Sequence, residues 1–159
     1  MKKVLGYFLI ALCLFACNSK SGSESQNGVT ISHQLIEQEV ESIIEFVITN
    51  NSGSTVNLPN PYSKSIEFKS GSEWVKFRTL DCPCGASCPP PPNDFNLENE
   101  NSHSIKWNMK EEWCGPKQLG GRPPEAFSSK AQPGTYRFKM VYKNEASELI
   151  TLNHEFQIK

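Results

Sequence analysis

The chain has 159 residues, with 16 Lys and Arg against 17 Asp and Glu, a formal net charge of −1. That near balance excludes the basic footprint of a nucleic-acid binder and the polybasic patch that holds a protein on anionic lipid. The length suits one domain with a proper core, and no internal repeat suggests a second.

In chain order, Lys2 and Lys3 come first, and Val4 to Ala16 follow without a charge. The run is too short for a spanning helix, which needs about 20 residues, and suits the apolar part of an export signal. It ends in Leu14-Phe15-Ala16-Cys17. This ending resembles the lipobox of bacterial lipoproteins: an aliphatic residue, a small residue directly before the cysteine, then the thiol. Cys13 follows Leu12, which is too bulky for that pattern. The resemblance implies that residues 1–16 are a signal peptide that is cut off. It implies that the Cys17 thiol takes a diacylglycerol and that the freed amine takes a further acyl chain, such as palmitate. Each buried CH₂ contributes about 0.8 kcal/mol, so two or three chains hold a soluble domain on a membrane. The expected address is the cell envelope, outside the cytoplasm. Asn18 is not the Asp that such lipoproteins use for inner-membrane retention, so an outer membrane is favoured where the cell has one. Without Lys2 and Lys3 the chain has 14 basic and 17 acidic residues, a charge of −3.

Residues 17–28 are expected to be the lipidated cysteine and a flexible tether. Ser19 to Asn27 reads SKSGSESQN, which has no apolar residue to offset the entropy of ordering. The folded domain is expected over 29–159.

Val29 to Leu35 alternates, and Glu41 to Thr49 does so more clearly, with Ile44, Phe46 and Ile48 on one face. Period two with β-branched and aromatic residues reads as half-buried strand. Asn50-Asn51-Ser52-Gly53 is a turn cluster. Further strands are expected at Thr55 to Leu58, at Ser65 to Lys69, and at Glu73 to Thr79 across a Ser70-Gly71-Ser72 turn. Ser102 to Met109 alternates His103, Ile105 and Trp107. Pro133-Gly134 introduces the strongest strand, with Tyr136, Phe138, Met140 and Tyr142 on one face. Glu148 to Ile158 follows, with a bulge expected at Asn153-His154-Glu155. At most a short helical turn is expected around Pro124 to Ser128. Trp74 and Trp107 are expected in the core.

Seven or eight short strands, each with one apolar face, are best buried as two sheets packed face to face. The fold class is therefore all-β, an immunoglobulin-like antiparallel β-sandwich. Ile48-Thr49-Asn50-Asn51-Ser52, Glu73-Trp74-Val75 and Pro133-Gly134-Thr135-Tyr136-Arg137-Phe138 resemble strand and turn motifs of small bacterial immunoglobulin-like domains. The resemblance spans Val29 to Ile158 and extends to the proteinase-inhibitor domains of that fold. Leu80 to Asp94 and Lys110 to Ala131 depart from the pattern as two long loops rich in Cys, Pro and Gly.

Those loops hold Cys82, Cys84, Cys88 and Cys114. An even set in an exported chain reads as two disulfides. Cys82 and Cys84 are too close in sequence to bond each other. Two pairings remain: Cys82–Cys88 with Cys84–Cys114, or Cys84–Cys88 with Cys82–Cys114. The alternative is a thiolate metal site for Zn²⁺ or Cu(I), with His103 a further candidate ligand. Pro89 to Pro92 is expected to be a rigid extended segment. Trp113 and Arg122 are the candidate partner contacts, because these residue types are enriched at binding hot spots.

No G-x-S-x-G, H-E-x-x-H or phosphate-loop motif is present, so no enzyme and no cofactor beyond the Cys17 lipid are expected. The preferred expectation is a lipid-anchored binding or structural module. Its membrane contact is the lipid, and its tied loops meet another envelope or extracellular protein or glycan. The alternatives are a protease inhibitor and a thiolate metal-binding protein.

Overall fold

The computed structural model describes residues 25–37, 41–88 and 95–159. The expected signal peptide, Cys17 and the tether up to residue 24 lie outside the described residues, as does Pro89 to Pro92.

Twelve strands are formed among the described residues: β1 (Ser25–Gln26), β2 (Val29–Ile36), β3 (Ile43–Asn50), β4 (Val56–Leu58), β5 (Ile66–Ser70), β6 (Glu73–Lys76), β7 (Phe95–Leu97), β8 (Ser102–Trp107), β9 (Lys110–Cys114), β10 (Ala126–Lys130), β11 (Gly134–Lys143) and β12 (Leu149–Ile158). The only helical element among them is a 3₁₀ turn, Leu119–Gly121. No helix of the described residues is long and apolar enough to cross a membrane.

The expected all-β sandwich is what forms. One sheet has the order β1-β2-β3-β8. The second is built on β11, which pairs along its whole length with β12 and on its other edge with β5 and β4; β6 and β7 extend it. All pairs are antiparallel. The alternation explains why the sheets meet. Ile44, Phe46 and Ile48 point inward from the first sheet, and Tyr136, Phe138, Met140 and Tyr142 from the second, all at most 5 % exposed. Phe46 stacks on Phe138 across the interface, with centroids 4.3 Å apart. Burying side chains of this size contributes about 1.5–3 kcal/mol each.

The structure differs from the sequence reading at several points. Among the described residues the strands number twelve rather than seven or eight. Ser25–Gln26, assigned to the tether, forms β1 and pairs with Val29 and Thr30; the turn is Asn27-Gly28, both at positive φ, as a two-residue hairpin requires. Lys110 to Ala131 is not one long loop, because β9 and β10 pair within it. The helical turn expected at Pro124 to Ser128 is replaced by β10. β12 carries no bulge: its register with β11 is continuous through Asn153, His154 and Glu155. The inward position that broke the apolar pattern is His154, which is fully buried. Trp107 is core, but Trp74 is only half-buried and lies on the outer face, with the Arg137 guanidinium 4.4 Å from its ring.

The two ends of the sandwich are distinct. At one, Val29 pairs with Asn50, Asn50 N–H donates to Asn101 O, and Tyr142 OH donates to Gln26 O. The described chain begins at this end, with Ser25. At the other, Ile36 pairs with Ile43, Ile44 with Trp107, and Gly134 with Ile158. The β9–β10 hairpin is attached at this second end, where Trp107 Nε1 donates to Lys110 O and Ala131 N–H donates to Met109 O.

Candidate functional site: the disulfide-tied hairpin

The four cysteines pair as Cys82–Cys88 and Cys84–Cys114. This is the first of the two pairings left open by the sequence. Cys84–Cys114 joins residues 30 apart and fastens the segment after β6 to the end of β9. Closing such a loop contributes about 3–4 kcal/mol in the chain-entropy model. With every sulfur of the set bonded to another sulfur, this state offers a metal no thiolate ligand, because a disulfide sulfur is not a thiolate. Among the described residues no group of three or more His, Cys, Asp and Glu is arranged to hold a metal ion. His103 is engaged elsewhere, with Nε2 2.8 Å from Pro61 O and its ring against those of Tyr62 and Phe95, at centroid distances of 5.7 and 4.9 Å.

The base of the hairpin is closely tied. Glu112 N–H donates to Arg78 O, and Gly115 N–H to Glu125 O. Trp113 sits opposite Phe127 in the ladder and the two rings stack at 5.9 Å. The Arg78 guanidinium lies 4.2 Å from the centre of the Trp113 ring and is bonded to Glu111 at 2.7 Å. The Arg78 hydrogen bond holds the Glu111 carboxyl below its ordinary range, and the same bond raises Arg78. Trp113 is therefore half-buried, sharing a stack with an arginine and a phenylalanine. Two glycines make the close approaches possible. A Cβ on Gly115 would lie 2.6 Å from the Phe127 ring, and one on Gly85, at φ +76°, 2.8 Å from Pro123. The cysteine loop thus packs its backbone on the return arm of the hairpin.

Beyond the ladder the hairpin is open to solvent. Leu119 is 97 % exposed at the tip, followed by Gly120 and Gly121 at positive φ. Arg122 is exposed and extended. Between Cys114 and Glu125 the tip carries Lys117 and Arg122 and no carboxylate. Trp113 and Arg122 thus share one hairpin, the first in its base and the second at its tip. Leu119 was not singled out from sequence; an isolated Leu beside two glycines has no periodicity to mark it.

A second feature escaped the sequence reading. His33 on β2 and His154 on β12 meet between the two sheets, with Nδ1 of the first 2.7 Å from Nε2 of the second. One ring donates its N–H to the other. Burial lowers the pKa of His33 from its ordinary value.

No protein-family model and no curated protein matches the chain. Among solved structures, the X-ray structure of Northeast Structural Genomics Consortium target SoR45 is similar at a TM-score of 0.41 and 8 % identity, over 82 % of this chain and 83 % of that one. A likeness at that level carries no argument about function.

Proposed function

We propose that this is a lipid-anchored, non-catalytic envelope protein that holds its disulfide-tied hairpin away from the membrane for contact with another envelope or extracellular molecule. The lipid on Cys17, with removal of residues 1–16, is read from the lipobox. The supporting observation is the separation of the two ends. The described chain starts with β1 at one end of the sandwich, and the hairpin with both disulfides projects from the other. An anchor at Cys17 leaves the Lys117–Arg122 tip facing outward. The immunoglobulin-like reading has support from Tyr136, whose OH donates to Gln132 O four residues upstream at 2.8 Å, the arrangement of a tyrosine corner.

Two measurements test this. Metabolic labelling with a fatty acid is expected to mark the protein, and Cys17→Ser to abolish both the label and membrane association. A photo-cross-linking residue at Leu119 in the native cells is expected to trap one discrete partner band. The same residue at Ala146, at the tether end, is expected to trap none of that band. Equal capture from both positions removes the hairpin from the proposal. Inhibition of a protease in a panel by the purified protein, lost with substitutions at the tip, would instead favour the inhibitor reading.

A further inference from the structure

The second sheet has an opening in it. β5 pairs with β11 at Tyr136–Phe138, and β4 pairs with the same edge of β11 at Lys143. Lys139 N–H donates to Ser65 O at 2.8 Å. Between these points no strand among the described residues pairs with Met140–Tyr142 on this edge. The chain from Pro59 to Ser65 leaves the sheet there, held by Pro61 O and the Tyr62 ring against His103 of the other sheet. A cleft of about 310 Å³ remains between this excursion and β11, lined also by Lys139 and Leu149.

Backbone groups alternate along a strand. Lys139 turns its N–H to the open edge, so Val141, two residues on, turns its N–H and C=O to the same edge. The opening is about 10 Å long, three residues at about 3.3 Å each, and β4 and β5 close it at both ends. A strand cannot run through it, but a chain terminus can enter. The charge selects which terminus. No described carboxylate forms a salt bridge with Lys139, and no acidic residue lines the cleft. An ammonium end is repelled and a carboxylate end attracted. Val141 and Leu149, 38 % and 67 % exposed, offer apolar surface to a small side chain, and Ser63 and Ser65 offer hydroxyls beside it.

We infer that this cleft binds the C-terminal carboxylate of a short extended peptide, with Lys139 facing the carboxylate and the Val141 backbone completing the ladder. The site is independent of the hairpin and of the lipid anchor. The test is a titration of the full ¹⁵N-labelled chain in detergent with acetyl-Ala-Val-Ala bearing a free carboxylate. Saturable shifts are expected at the Val141 and Ser65 amides. The C-terminal amide of the same peptide is expected to bind at least about tenfold more weakly, and so is the free acid to Lys139→Met, because a charge-assisted hydrogen bond is lost. The acid-to-amide comparison needs no variant and stands if Lys139→Met misfolds. Unmoved Val141 and Ser65 amides, equal binding of acid and amide, or acetate alone binding as well as the peptide would each overturn the inference.

Discussion

Two buried polar residues decide much at the scale of single side chains. Asn50 is fully buried and uses its whole amide: Nδ2 donates to Ser54 O and Leu97 O, and Oδ1 accepts from Ser52 N–H and Oγ. Asn50→Leu fills similar space but strands those partners, so a loss of about 2–4 kcal/mol is expected in urea unfolding. The His33–His154 pair makes stability depend on pH. Burial lowers the folded-state pKa of His33 below 6.5, so between that lowered value and 6.5 the unfolded chain binds more protons. Stability is therefore full above pH 6.5 and falls as the pH drops below it. The melting temperature is expected to fall between pH 7 and about pH 5.5, and His33→Phe to flatten that fall. A flat wild-type profile would contradict this account.

For the elements, the hairpin depends on ties that the sandwich does not need. Among the described residues β9 and β10 form a strand ladder only with each other, and β10 is exposed at every position. A two-stranded ribbon alone is marginal in water, so Cys84–Cys114 and the Arg78–Trp113–Phe127 stack supply what a core would. Cys84→Ser with Cys114→Ser is expected to leave the amides of β3 and β11 protected in hydrogen exchange while those of β9 and β10 exchange fast. Trypsin is then expected to cut after Lys117 well before any site in the sandwich. The elements the sequence revealed and those it hid differ in one respect. β3 and β11 face a core, so burial demands alternation and the demand is visible. β9 reads KEEWC and β10 AFSSK; they bury little, and no period was imposed on them. β12 shows the opposite difficulty: its alternation is unbroken, but a polar residue occupies one inward position.

The whole molecule has one core and two ends of different character. With both disulfides closed, reduction of the intact protein is expected to add about four daltons, two hydrogens for each S–S bond. An unchanged mass would undo the tied-loop account. The sequence by itself determined the all-β class, most strands, the inward faces of β3 and β11 and the even set of four cysteines, because period-two burial and a paired thiol count are local properties of the chain. It also supplied the ending Leu14-Phe15-Ala16-Cys17, whose resemblance to a lipobox underlies the proposed address. Only the tertiary structure decided which cysteines pair, that Trp74 lies outside and His154 inside, that the hairpin stands opposite the chain entry, and that the sheet opens beside Val141. Each of these depends on which distant segments come to lie together, and residues 30 to 121 positions apart leave no mark of their meeting in the order of the chain.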